Sequence, residues 1–298
     1  MPWPIVPCAE VAQAPAGAGA APIDAARVLG VGEPVSATID VGVWVPRLTG
    51  TAQVGAGGTS LNLDTDLAVQ GSAPGVAGEF AVSTGRWRLG GLGFAVEETG
   101  SQAATAAGTF GTVPIAVGDS IEGSYSAWMA GAEVGYVVWR PFADEPWPWS
   151  DAGDNRTQAS AIVGRNGRPL ADVQVYALGG GFVLGYEQSL TNQTAGGTST
   201  FERTVGGAYG GAGADIRMGM DGRVPLVQDL RLSVNAGFGF GWPDADSVWM
   251  IRVGLAAMLD EHVGVEFGYR LFDFDLIDGP SRVDAGIRGL FGAVSVRF

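Results

Sequence analysis

The chain has 298 residues, a formal net charge of −14, 49 glycines and only 16% charged residues. With 46% apolar residues, 16 prolines and no Gly-X-Y period, collagen and wholesale disorder are both excluded. An isoelectric point near 4.4 without any Lys/Arg cluster excludes a nucleic-acid partner, and a single cysteine, Cys8, with a single histidine, His262, excludes a disulfide framework and Cys- or His-rich metal centres.

The first segment, 1–36, is expected to be a disordered leader. It lacks a long apolar run, but Ala12-Gln13-Ala14 followed by an Ala/Gly/Pro-rich stretch looks like a cleavage site, as in the remnant of a signal peptide. No later stretch has the 18 to 20 apolar residues of a spanning helix. The uncharged run Thr99 to Gly118 is broken by Gly, Pro, Ser, Thr and Gln and reads as a loop.

From residue 37 to 298 the dominant signal is alternation with the strand period of two. Ten strands are expected, at about 37–50, 77–84, 87–98, 121–140, 171–188, 203–219, 228–242, 247–259, 263–275 and 286–298. In the seventh, Leu230, Leu232, Val234, Ala236, Phe238, Phe240 and Trp242 share one face, and Arg231, Ser233, Asn235 and three glycines share the other. A soluble sandwich would carry Lys, Glu and Thr on its outer face, whereas here the second face is glycine with isolated charges. That composition suits a narrow lumen, with the bulky apolar face turned to lipid. Open edges cannot face lipid, so the sheet is expected to close: an all-β, transmembrane, antiparallel up-and-down β-barrel of about 10 strands.

An even strand number leaves both ends of the chain on one side. On that side the connections 85–86, 220–227 and 260–262 are short, as periplasmic turns are, while 51–76, 99–120, 189–202, 243–246 and 276–285 lie opposite and read as extracellular loops. The connection 141–170 is long for a periplasmic turn. At one hairpin Leu259 is expected to face Val263 around Asp260-Glu261-His262, and across the next loop Trp242 is expected to face Trp249.

The chain ends in LFGAVSVRF, with Leu290, Val294, Val296 and Phe298 in step. This resembles the C-terminal signal of Gram-negative outer-membrane β-barrel proteins, which the barrel-assembly machinery reads. VGVEFGYRLFDFDL (263–276), IDVGVWVPRLTGTAQVG (39–55) and LNLDTDLAV (61–69) are likewise similar to a broad family of small outer-membrane barrels. The resemblance implies location in the bacterial outer membrane, with outer-membrane lipid, lipopolysaccharide and the assembly machinery as partners. It implies no activity.

By the alternation, Glu133, Glu187, Asp215, Arg217, Arg231, Arg252, Glu266, Arg270 and Arg297 face the lumen. Such near-balance reads as a structural ion-pair network ahead of a conduction path or a reaction centre. Arg252 is expected opposite Arg270, so Glu266 or an acid from across the lumen must lie between them. Tyr176, Tyr186, Trp242, Trp249 and Tyr269 are assigned outward as an aromatic girdle. Acids at Asp64, Asp66, Asp244, Asp246, Asp273, Asp275, Asp278 and Asp284 collect on the extracellular side, where a weak divalent cation could bind; DFDLIDG fails as a calcium loop at Ile277 and Asp278. Some ten-stranded outer-membrane barrels are proteases with a His-Asp pair at the extracellular rim, but His262 falls in a periplasmic turn. No catalytic residue, metal site or cofactor is therefore expected. The function expected is a structural envelope component or a minor passive pore, the alternative a surface-binding module acting through its loops, and the third an outer-membrane enzyme.

Overall fold

Alternating bulky and small residues leave each segment with one face to bury and one to turn outward, and antiparallel pairing of neighbours satisfies the backbone. The computed structural model of the protein describes residues 35–69, 71–141, 171–220, 226–244, 246–260 and 262–298. In chain order the strands are β1 (Val35–Gln53), β2 (Leu61–Asn62), β3 (Gly75–Thr84), β4 (Trp87–Ala103), β5 (Gly108–Phe110), β6 (Val113–Ile115), β7 (Ser120–Trp139), β8 (Ala171–Asn192), β9 (Thr198–Gly219), β10 (Asp229–Trp242), β11 (Ser247–Met258), β12 (Val263–Asp278) and β13 (Ser281–Arg297). Ten of them, β1, β3, β4 and β7 to β13, pair each with its neighbour in that order, and β13 pairs back onto β1. The result is a closed antiparallel up-and-down barrel, with no helix among the described residues. The leader lies outside the described residues except for Val35 and Ser36, which open β1, and the 141–170 connection lies outside them except for Pro141.

The C-terminal residues seal the barrel. Phe298 N donates to Ala37 O at 2.9 Å and Ala37 N returns a bond to Phe298 O at 3.1 Å. Leu290, Val294 and Phe298 stand exposed on the outer face of this seam, in step with Val296. One end of the barrel carries the Gly85-Arg86 turn, where Gly85 takes a positive φ of 55°, and the connection from β11 to β12. This is called the turn end here, and the opposite one the loop end.

The strands run further at the loop end than their apolar alternation announces. β4 reaches Ala103, β9 begins at Thr198, and β12 and β13 leave only two residues between Asp278 and Ser281. Much of what reads as loop is strand whose outer face turns polar while its inner face stays apolar. In 99–120 the small hairpin β5–β6 joins this extension. Outside, Val41, Val43 and Val45 of β1 give way to Arg47, and Phe267 and Tyr269 of β12 give way to Asp273. On β10 the exposed apolar face runs from Leu230 to Trp242. At about 3.3 Å per residue that is roughly 40 Å along the strand, or about 30 Å across when tilted as barrel strands are.

The hairpin registers divide. Ala257 pairs with Val265 and Leu255 with Phe267, and Leu259 N donates to Val263 O, as the sequence suggests. Across the other loop Trp249 pairs with Phe238, while Trp242 lies beyond the last β10–β11 pair and opposite Gly206 of β9. The expected Trp242–Trp249 pairing is therefore wrong: Phe240 already meets Ser247, and Trp249 pairs four residues earlier along β10, at Phe238.

Candidate functional site: the barrel interior

The interior is built in two zones. At the loop end it is an apolar core in which Trp44, Leu48, Tyr125, Leu184, Tyr186, Phe272, Phe274 and Ile287 are all buried to within 2%. Its rings meet edge to face, Trp44 on Phe94 at 5.0 Å and Phe94 on Phe272 at 5.2 Å between centroids. The core continues past the barrel into the connections through Leu61, Leu63, Leu67, Phe110 and Val113. Glycines on the inner face make room for it: a Cβ at Gly207 would fall 2.5 Å from Phe182 Cζ. Asn192, fully buried, ties the cap down, donating from Nδ2 to Pro114 O at 2.8 Å and Asp119 Oδ2 at 2.7 Å and accepting from the backbone N–H of Thr194 and Ala195 at 2.9 Å.

Toward the turn end apolar packing yields to ion pairs. Arg252 and Arg270 face each other across β11 and β12. Glu79, from β3 on the far wall, lies between them, taking Arg252 Nη1 at 3.1 Å on one oxygen and Arg270 Nη2 on the other. Arg252 Nη2 also donates to both oxygens of Glu266, at 2.8 and 2.9 Å. The Arg252 guanidinium lies 5.0 Å over the Phe291 ring, and that of Arg270 5.8 Å from Trp44, so aromatic faces roof the charged layer where the apolar core begins. Glu133 is inward and accepts from the Tyr209 hydroxyl at 3.0 Å.

Lower still, Arg88 Nη1 and Arg231 Nη2 share Oδ2 of Asp215, at 3.1 and 2.9 Å. Arg217 Nε donates to Asp229 Oδ2 at 3.1 Å, and Arg297 Nη1 approaches the same oxygen at 3.6 Å. Glu133, Asp215, Arg217, Arg231, Arg252, Glu266, Arg270 and Arg297 thus all point inward. Glu187 does not. It is exposed on the outer face opposite Glu202, and its neighbour Gln188 is the buried residue.

The same inversion of β8 corrects two aromatic assignments. Tyr176 and Tyr186 are 2% exposed and lie inside, the first donating its hydroxyl to Asn235 and the second to Gln188 at 2.9 Å. Even positions of β8 face inward: Tyr186 packs in the apolar core, while Tyr176 lies among the charges of the turn end, 5.0 Å beneath the Arg88 guanidinium. Trp242, Trp249 and Tyr269 are exposed on the outer face, where Trp128, Trp139 and a Trp87–Tyr136 edge contact at 5.0 Å also lie.

Sequence reasoning missed Asp40, Glu79, Arg88 and Asp229, although register carries the parity to them: Asp40 pairs with Glu79, and both face inward. The acids at the loop end are held by arginines. Arg203 Nη2 donates to Asp244 at 2.6 Å and Asp246 at 3.0 Å, while Arg47, Arg282 and Arg288 engage Asp64, Asp275 and Asp273. Burial lowers the Arg203 pKa, but the bonds to Asp246 and Asp244 outweigh it and raise the net value. Among the described residues no group of three or more His, Cys, Asp or Glu is arranged to hold a metal. His262 is exposed in the β11–β12 turn, its Nδ1 3.1 Å from Arg297 O.

No family model matches the chain, and no curated protein matches it. The solved structures similar to it are outer-membrane barrels. The outer-membrane protease OmpT of Escherichia coli aligns at 7% identity over 88% of this chain and 97% of its own, with a TM-score of 0.43. The attachment invasion locus protein Ail of Yersinia pestis aligns at 9% over 89% and 99%, TM-score 0.34, and Neisserial surface protein A at 10% over 89% and 97%, TM-score 0.29. At this level of similarity the fold rests on the register and closure of the strands described above.

Proposed function

We propose that the chain is an integral outer-membrane β-barrel with a closed interior, a structural component of the cell envelope. The observation that carries this reading is the filled loop-end half of the barrel, beneath which the interior holds at mid-height a cavity of about 50 Å³ lined by residues including Glu79, Glu133, Tyr209, Arg252 and Arg270. A space of that size holds about one or two waters and no continuous path. The exposed apolar face of β10 has the length of a tilted strand crossing the hydrocarbon layer, with the turn end then periplasmic and the loop end extracellular.

Fractionation of cells with a heat-modifiability gel tests placement and fold together: the protein is expected in the outer membrane and to shift mobility on boiling. Planar-bilayer recording of the folded protein tests closure, with no conductance steps expected; reproducible steps would reinstate the passive pore. A surface-binding role draws support from one feature. Beyond the apolar band the wall continues as strand, with Glu97, Glu122, Glu187 and Glu202 exposed on its outer face.

A further inference from the structure

The largest cavity described here opens at the turn end, with a volume of about 340 Å³. Its charge pattern sets it apart from the rest of this acidic chain. Arg88 and Arg231 share one oxygen of Asp215, and Arg217 and Arg297 share one oxygen of Asp229. Four arginines therefore converge on two carboxylates. The remaining pair at the mouth, Arg140 with Asp172, is bidentate at 3.0 and 3.1 Å and neutral. Among the described residues, the cavity's lining and the carboxylates bonded to it carry two net positive charges. The further inward acids, Asp40, Glu79, Glu133 and Glu266, lie outside that lining in the layer of Arg252 and Arg270, with Asp40 and Glu79 sharing a smaller pocket with Arg88 and Arg231.

Arg88 Nε is buried without an acceptor among the described residues, its guanidinium 5.0 Å over the Tyr176 ring. Arg217 keeps 49% of its side chain exposed while its Nε and Nη2 bond Asp229 Oδ2. Clustered guanidiniums that outnumber their carboxylates on a semi-enclosed wall match the geometry of phosphoryl oxygens better than that of any neutral group. The hydroxyls of Ser36, Thr38 and Ser83 line the same space.

We propose that this vestibule is a binding site for a phosphomonoester dianion carried by a small solute, entering from the turn end. The two net charges of the site match the two charges of the ligand. The ester substituent lies toward the mouth, where Gln174 stands. The site is independent of the closed upper interior and does not require conduction.

Isothermal titration of the detergent-folded, full-length protein with glycerol 3-phosphate tests this. At about pH 8 the probe is fully dianionic, its second ionisation lying near 6. One saturable site is expected, weakening as salt is added. Arg217→Gln and Arg297→Gln should each weaken binding about tenfold, the loss of a charge-assisted bond to the ligand. Arg47→Gln, at the other end and on the outer face, should leave it unchanged. Each variant is first checked for the heat-modifiable band; where Arg217→Gln does not fold, Arg217→Lys keeps the charge, removes the fork and is expected to lose part of the affinity. Absence of saturable heat at millimolar probe on the folded protein overturns the proposal. So does equal affinity for succinate, which would reduce the site to charge alone, or unaltered binding in both folded arginine variants.

Discussion

The two halves of the barrel interior solve the same problem by opposite means. At the loop end, space between the walls is filled by aromatic and aliphatic side chains whose stability comes from area removed from water, and polar atoms are few. Toward the turn end the walls instead carry arginines and carboxylates, around a layer of ion pairs and then an open vestibule, and each charge is stabilised by its partners or by water. The first half tolerates any shape that packs. In the second, a charge in the water-excluded layer needs its partner, because an ion left alone there loses hydration that nothing replaces. The boundary is sharp: Trp44 and Phe291 face the apolar core on one side and the Arg252 and Arg270 guanidiniums on the other.

The sharpest way to break the comparison is at Glu79. Its two oxygens serve two arginines that otherwise oppose each other, so Glu79→Gln leaves Arg252 leaning on Glu266 and Arg270 without an acid partner among the contacts described. A loss of about 3 to 5 kcal/mol is expected, read as a lower urea midpoint in the disappearance of the heat-modifiable band. Restoring neutrality in the Glu79→Gln background with Arg270→Gln should recover part of it. If the double variant is no better than the single, charge balance is not what Glu79 supplies.

In the apolar half the corresponding test is Leu184→Ala. Leu184 is fully buried within the core, so truncation leaves a cavity and costs about 3 kcal/mol. Here the repair is volume, not charge: Leu184→Met should stay within about 1.5 kcal/mol of wild type. The pair of experiments separates the halves, since a Met replacement rescues one and a compensating charge change the other.

What could be read from sequence follows the same division. On β10, β11 and β12 one face is bulky and the other is glycine or charge, so Arg231, Arg252, Glu266 and Arg270 are placed correctly by parity alone. On β8 both faces carry large apolar residues: Val173, Val175 and Val183 outside, Tyr176, Phe182, Leu184 and Tyr186 inside. Amphipathicity then cannot choose a side, and the rule that apolar faces point to lipid inverts the strand, taking Glu187, Tyr176 and Tyr186 with it. Glu79 was hidden for another reason. Its contact with Arg270 spans 191 positions and crosses the barrel, and nothing local in β3 announces it. Arg88 and Asp229 sit at strand starts, where alternation has barely begun.

A smaller effect is expected where the cap meets the barrel. Asn192 uses both its donor hydrogens and its carbonyl oxygen, and no water reaches it. Asn192→Ala would strand the Pro114 carbonyl and two backbone N–H groups, and about 1 to 3 kcal/mol should be lost. Because the barrel wall below does not depend on the cap, proteolysis within 104–120 is expected to rise before the barrel itself unfolds.

The smallest effect is one of pH, and it isolates the cap from both halves. Asp119 accepts from the Ala116 N–H at 2.8 Å and from Asn192 Nδ2 at 2.7 Å, and these bonds hold its pKa below the ordinary value of 3.8. The folded pKa is depressed, so the contribution is fully present above the unfolded value and is lost as pH falls through the folded one. Asp119 lies in the exposed turn above the apolar band, where solvent screens the charge and the effect stays small. Wild type and Asp119→Asn should therefore differ in protease resistance within 104–120 at neutral pH and converge at about pH 2 to 3. A difference that persists unchanged in acid would mean that the two bonds act through geometry, with the amide failing to accept as the carboxylate does, and would remove charge from the account of the cap.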